Sequence, residues 1–333
     1  MMKFQRLVDP ASIPSEWGAP VVAIGNFDGV HRGHQIVLET AKDIAARRGT
    51  AAIALTFEPH PRSFFKPEEP VYRLTPAPIR ARVVEALDLD GVVELTFDRA
   101  FSSRTASSFV TDILLGRLRA SDVVTGYDFH FGKGREGSPE FLIAQGRDHG
   151  FGVTVVPAQK DEGDAVVSSS RIRGALANAD VAEAAGLLGY RPIIEAEIVP
   201  GAQLGRTLGY PTANMSLLEG AALAHGIYAV RFRRADGTLH DGVASYGRRP
   251  TINSGAPLLE TYVFDFSGDL YGEVCSVTLF SYLRGEEKFD SVDDLIVQMD
   301  KDSQEARAVL THATPITPLD GRLSFDLEPQ LNG

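Results

Sequence analysis

Two histidines three residues apart, His31 and His34, flank Gly33 in the stretch Gly25-Asn-Phe-Asp-Gly-Val-His-Arg-Gly-His34. The apolar run before it, 21–24, reads as a short buried strand. After it, Val37, Ala41, Ile44 and Ala45 recur on one helical face and Gly49 supplies a stop. The pair therefore sits where a strand turns into a helix N-terminus. Free backbone N–H groups and the positive end of the helix dipole favour an anion there. Imidazoles can donate hydrogen bonds to phosphate oxygens, and Gly33 lets the backbone come close. A metal pair, structural histidines and simple turn glycines are the competing readings. A metal lacks a third ligand at a suitable spacing, and turn chemistry does not account for both histidines.

A second constellation lies in Gly201-Ala-Gln-Leu-Gly-Arg-Thr-Leu-Gly-Tyr-Pro-Thr-Ala-Asn214. It has no Walker lysine, so it is not an ordinary P-loop. Gly201, Gly205 and Gly209, with Pro211, still make a flexible backbone cradle. Thr212 and Asn214 stand two apart, on one side of an extended chain, and both carry hard oxygens suited to Mg²⁺. Downstream, Glu260 alternates with Tyr262 and Phe264 along a strand. A carboxylate there is either a solvated face or a general base for an alcohol. Val167-Ser-Ser-Ser-Arg-Ile-Arg173 offers hydroxyls and guanidiniums ahead of a helical run at 174–178. On the residues alone it reads as a solvated N-cap or as an anion contact. Gly132 to Gly137 spells G-x-G-x-x-G, but no strand leads directly into it and charged residues fill the turn, so a dinucleotide site is rejected.

The elements that position these residues have two rhythms. Candidate strands at 21–24, 51–57, 92–96, 123–126 and 153–156 alternate with helices near 34–48, 76–88, 104–118 and 139–148. That alternation predicts an α/β domain, a parallel sheet with helices on both faces, and ligands beyond the carboxyl ends of its strands. From Arg191 onward, strands at 193–199, 228–232, 242–246, 260–266 and 274–281 are joined by turns. Asp236-Gly237 and Gly268-Asp269 are hairpin signals. With a closing helix at 292–310 they predict a small antiparallel barrel. A short helix over 180–190 links the halves. The division is thus 1–186, 187–312 and an extended tail, 313–333.

The chain has 333 residues, a formal net charge of −11 and one cysteine. Acidity argues against a nucleic-acid partner, and a lone Cys275 in an alternating run excludes a disulfide framework. No apolar stretch approaches membrane-spanning length and the N-terminus lacks a signal-peptide core. These features predict a soluble cytoplasmic protein. Whether it forms a homo-oligomer is left open.

The ten residues ending at His34 resemble the signature of the bacterial bifunctional riboflavin kinase/FAD synthetases, and the His-x-Gly-His core is shared with the wider nucleotidyltransferase superfamily. Val167 to Arg173 is similar to that family's Ser-Ser-Thr-x-Ile-Arg element, with Ser170 for Thr. Gly126-Tyr-Asp-Phe-His-Phe-Gly132 resembles its Gly-x-Asp-Phe-x-Phe-Gly loop, with His130 where Arg is common. Leu208-Gly-Tyr-Pro-Thr-Ala-Asn214 resembles the ATP and Mg²⁺ motif of riboflavin kinases. Leu259 to Phe266 resembles the Glu-x-His-x-x-Asp-Phe strand, with Tyr262 for His. Phe280 to Phe289 resembles the flavin-side loop, and Gly242 to Thr251 a further segment, with Ser245 for Asn. The match runs in family order from about residue 20 to 310.

The resemblance implies a Rossmann-like adenylyltransferase domain making FAD from FMN and ATP with release of pyrophosphate. It also implies a riboflavin kinase barrel making FMN from riboflavin and ATP with release of ADP. His31, His34 and Arg173 would serve adenylyl transfer; Gly25, Asn26, Phe27, Asp28, Gly33, Ser168 and Ser169 would hold phosphate, and Asp128 would position FMN. In the kinase, Gly205, Gly209 and Pro211 would cradle ATP, Thr212 and Asn214 would bind Mg²⁺, and Glu260 would be the base. Arg284, Glu286 and Phe289 would line the flavin. The alternatives are an enzyme that retains one activity, or a flavin-sensing module without turnover. Retention of both residue sets argues against the first, and two separate phosphate cradles argue against the second.

Overall fold

The apolar runs Val21–Ile24 (β2) and Ala52–Glu58 (β3) are buried on both faces, as strands at the centre of a parallel sheet must be. The structure, a computed structural model, describes residues 2–201, 205, 208–217, 220–248 and 257–326. The chain divides into two units after Ser168.

In the first unit, Gln5–Val8 (β1), β2, β3, Gly91–Thr96 (β4), Asp122–Gly126 (β5) and Gly152–Val156 (β6) form one sheet in the order β1-β4-β3-β2-β5-β6. Every pairing is parallel. Helices Arg32–Arg48 (α1), Ala77–Ala86 (α2) and Pro139–His149 (α3) connect the strands. The core gathers Trp17, Ile24, Ile53, Leu55, Val93, Phe109 and Leu142. The expected α/β architecture is present, with two local departures. Edge strand β1 has too few apolar residues for a strand signal and takes its place by pairing with β4. The helix expected over 104–118 changes pitch: after Ala106–Ser108 the chain widens into a π-helix, Phe109–Arg117, in which the Leu118 amide donates to Ile113 O at 2.9 Å.

The second unit begins with helices Ser169–Ala177 (α4) and Val181–Leu188 (α5). Six strands follow: Ile193–Val199 (β7), Thr212–Ser216 (β8), Gly226–Arg233 (β9), Leu239–Gly247 (β10), Leu258–Val263 (β11) and Val274–Arg284 (β12). They close as β10-β11-β8-β7-β12-β9, antiparallel throughout. Helix Val292–Thr311 (α6) covers one outer face, burying Ala306 and Leu310 against Ala229, Val243 and Phe264. Asp236-Gly237 turns β9 into β10 as expected, with Gly237 at φ 91. Gly268-Asp269 does not close a hairpin, because β11 and β12 are not neighbours in the barrel.

Nor is the chain extended throughout after residue 312. Pro318–Ser324 (α7) is helical, capped by Thr317, and Asp320 is fully buried. Asp320 binds the Arg191 guanidinium and accepts from the Arg191 amide at 3.0 Å, the Ile316 amide at 3.1 Å and Ser324 Oγ at 2.8 Å. Removing one partner leaves an uncompensated buried charge. Asp320→Ala should therefore destabilise the second unit by about 3 kcal/mol. Urea unfolding followed by circular dichroism should show that loss, while fluorescence of the single tryptophan, Trp17 in the first unit, should report an unchanged midpoint.

Candidate functional site

β2 is flanked by β3 and β5, so the loop after it opens at the point where the sheet order reverses. That loop is bent hard: Phe27, Gly29 and Val30 have φ of 45°, 89° and 37°. A left-handed Val costs strain and persists only when its surroundings hold it. Thr75 Oγ1 accepts from the Gly29 amide at 2.8 Å and donates to Phe27 O at 3.3 Å. Asp28, 2% exposed, accepts from the Leu74 and Thr75 amides at 2.9 and 3.3 Å. Thr56 Oγ1 donates to Asn26 O at 3.2 Å, and Gln35 Nε2 to Val30 O at 2.8 Å. Asp28 thus anchors the loop to the 74–75 segment.

The loop delivers His31 as the N-cap of α1, its Nδ1 accepting the His34 amide at 3.4 Å. A ring that accepts at Nδ1 carries its proton on Nε2 and donates from there. The two imidazoles stack with centroids 3.7 Å apart and 16° between planes, and Phe27 meets His34 edge-on at 5.5 Å. Burial pushes His31 down to about 4, against the opposing pull of Asp28. Burial and then His31 push His34 down as well. The pair is neutral at pH 7: two hydrogen-bonding rings beside a positive helix end, not two cations. A Cβ on Gly33 would lie 3.3 Å from the His31 ring, so a larger residue there would press on that ring and make it shift slightly.

Asp128 is exposed in the turn after β5. Gly132 and Gly134 have positive φ around a single 3-10 turn, Lys133–Arg135, with no strand leading into it. Ser168 ends the first unit, and Ser169 and Arg173 lie on α4, the first helix of the second. There Arg171 pairs with Glu183 on α5. Arg173, two residues on, points about 200° away around the helix. One feature was missed from sequence. At the carboxyl ends of β3 and β4 the rings of Phe57, Phe64, Phe65, Phe97 and Phe101 contact one another, and Phe65 is 64% exposed. The adjacent Phe64-Phe65, in the short helix Pro61–Phe65 beyond the end of β3, was the available signal.

In the barrel, register does the assembling. Asn214 on β8 stands opposite Glu260 on β11, which stands opposite Ser245 on β10. Opposed side chains on one face are about 5 Å apart. Asn214 is buried, and its Nδ2 donates to Thr212 O at 3.0 Å. Thr212 stands opposite Tyr262. Gly201 lies so close that a Cβ there would sit 2.5 Å from Asn214 Nδ2. Gly205 O accepts from the Tyr210 amide at 2.8 Å, and Gly209 has φ 87. Arg284 grips Asp302 on α6, its guanidinium 5.9 Å from the Phe289 ring, and Glu286 reaches His225 Nδ1 at 3.3 Å. Residues 202–204, 206 and 207 of the glycine-rich motif, and Arg249 to Thr251 of the 242–251 segment, lie outside the described residues.

The family model for FAD synthetase matches residues 13–171 and that for riboflavin kinase matches 188–310. A bifunctional riboflavin kinase/FMN adenylyltransferase of Pseudomonas fluorescens is 40% identical over 291 residues, spanning 87% of this chain and 92% of the relative. The protein of the same name in Escherichia coli K12 is 37% identical over 289 residues, spanning 86% and 91%. The chain belongs to the bifunctional riboflavin kinase/FMN adenylyltransferase family. A crystal structure from Streptococcus pneumoniae described as a macrolide-efflux protein aligns with a TM-score of 0.76 at 30% identity, covering 91% of this chain and 98% of that one. The efflux role in that name is said of that protein. Among the described residues no helix is long and apolar enough to cross a membrane.

The lowered histidines link this loop to stability. Neutral rings are favoured in the fold, so their contribution is complete above the ordinary value of 6.5 and is lost as pH falls toward about 4. Every tenfold drop in a ring's proton affinity corresponds to about 1.4 kcal/mol. Urea midpoints read from Trp17 should fall steeply between pH 6.5 and about 4. His31→Gln should flatten that fall, and an unchanged slope would remove His31 as its source.

Proposed function

We propose that the enzyme makes FMN from riboflavin in its second unit and FAD from FMN in its first, consuming one ATP at each step. The observation that carries this is the pair of unlike phosphate-facing constructions: a neutral imidazole stack at a helix start, and a buried Asn214 in register with Glu260.

In the first unit the phosphate of FMN is already an anion, so no base is needed. Its oxygen attacks the α-phosphorus of ATP, the α–β bridge breaks and pyrophosphate leaves. His31 and His34 donate to the transferred group beside the amides at the start of α1. The Gly25–Asp28 turn, Gly33 and Ser168 shape the phosphate cradle, and the likeness of Val167 to Arg173 to the family motif is what assigns Ser169 and Arg173 to the same step. Asp128 positions FMN, and the Phe65 rim supplies an aromatic face for its ring system.

In the second unit the nucleophile is a primary alcohol, and Glu260 accepts its proton as the oxygen attacks the γ-phosphorus and ADP leaves. Gly205, Gly209 and Pro211 shape the ATP loop. Thr212 and Asn214 fit Mg²⁺, since the Asn214 amide nitrogen donates to Thr212 O and so turns the amide oxygen, a hard ligand, the other way. Bound with ATP, that ion would offset phosphate charge. Arg284, Glu286 and Phe289 form the flavin side. We place the reactions in the cytoplasm, where Cys275 stays a free thiol; burial and then Glu273 push it up to about 12.

Chromatography of products from riboflavin and Mg-ATP tests the assignment. His31→Ala should abolish FAD while FMN accumulates; an equal loss of FMN would refute two separate sites. Glu260→Gln should lower FMN formation by at least about a hundredfold while added FMN is still converted to FAD. In Asn214→Leu the kinase alone should need more Mg²⁺, and an unaltered Mg²⁺ titration would count against its ligand role.

A further inference from the structure

Two carboxylates of α6, Asp300 and Asp302, each hold one of the two loops that the kinase reading gives to its substrates. Tyr210 stands between Gly209 and Pro211 in the ATP loop, and its hydroxyl donates to Asp300. Its ring meets Tyr262 edge-on at 4.9 Å, and Tyr262 is the residue opposite Thr212. On the flavin side, Arg284 ends β12 and binds Asp302 with two parallel bonds, Nε to Oδ1 at 2.8 Å and Nη2 to Oδ2 at 2.6 Å. Asp302 is 4% exposed and takes a third bond from Gln298 Nε2 at 2.9 Å. Arg284 Nη1 donates to Gly285 O at 2.9 Å, inside its own loop. The guanidinium is thus committed to α6 and to the loop backbone. A two-bond fork onto a buried carboxylate is geometrically demanding and fixes orientation as well as distance. The two anchors sit two residues apart on a 20-residue helix, a separation of about 3 Å along its axis.

We propose that Asp302, through Arg284, positions the riboflavin loop, that Asp300, through Tyr210, positions the ATP loop, and that one helix thereby sets the spacing of the two substrates. This rests on the kinase reading above. Arg284 then acts on riboflavin by closing the 284–289 loop, not by offering its charge to the ring.

Steady-state kinase kinetics of the full chain, with conversion of added FMN to FAD as the internal control, test this. Asp302→Asn should raise KM for riboflavin about tenfold and leave KM for ATP within about twofold. Tyr210→Phe should do the reverse, raising KM for ATP about fivefold. Neither should alter FAD formation from FMN. Because Asp302→Asn strands a half-buried guanidinium, a second variant combines it with Arg284→Gln, whose amide can bond the new amide without charge. That double variant should bring KM for riboflavin down about threefold from that of Asp302→Asn. Equal rises in both KM values, no rise in either, or a double variant as impaired as Asp302→Asn would overturn the proposal. A parent enzyme that forms no FMN would fail the kinase reading first, and the proposal with it.

Discussion

The hydrogen bond from the His34 amide into the His31 ring is the constraint on which the first site depends. It makes the side chain of His31 the cap of α1, so protonating Nδ1 would cost the helix its cap as well as burying a charge. The stack at 3.7 Å forbids a pair of cations for the same reason. Both rings stay neutral, and the anion-attracting charge comes from the helix end behind them. The glycine at 33 and the left-handed Phe27 and Val30 are consequences: the chain must reach the cap position from a strand end only a few residues away. Each strained residue costs on the order of 1–3 kcal/mol, which the bonds from Thr75, Asp28 and Gln35 offset.

The second site solves a different problem with different means. On the proposed kinase reading an alcohol must lose its proton, so Glu260 must be held near the oxygens of Thr212 and Asn214 without being neutralised. In the closed barrel, register alone brings Glu260 opposite Asn214. Because no edge is free, the ladder cannot slip by one residue without turning the side chains to the opposite face. Asn214, Glu260 and Ser245 are therefore brought together by continuous pairings on both sides of β11, over Leu258–Tyr262 with β8 and Leu258–Val263 with β10. The interior is filled by Met215, Leu259, Val277 and Leu279, which leaves no room for an inward slip.

Much of this was legible in the residues. Strand β2 matches its apolar run to the residue, because burial on both faces leaves a continuous signal. The His pair and the Thr212/Asn214 spacing pointed to their elements because the chemistry and the period agree there. What escaped notice depends on distant partners. Edge strand β1 exists through β4, and α7 through the Asp320–Arg191 pair, 129 residues apart in the chain. The bond from Arg284 to Asp302 has no local signal either, since the two lie 18 residues apart. The π-turn after Ser108 left no trace, since its apolar residues suit either pitch.

Net charge sharpens what these sites must do. A chain at −11 repels ATP and FMN at long range. That repulsion is screened beyond about 8 Å at physiological ionic strength, so a compact mononucleotide that reaches a site feels mainly local donors. Helix amides, neutral imidazole N–H groups and single arginines act within that distance. A nucleic acid, spread over many screening lengths, would meet the acidic surface at every phosphate and gain from the site at only one. On the proposed reading, neutral histidines suit this arrangement, since rings that donate to phosphate without carrying charge add little attraction for longer polyanions.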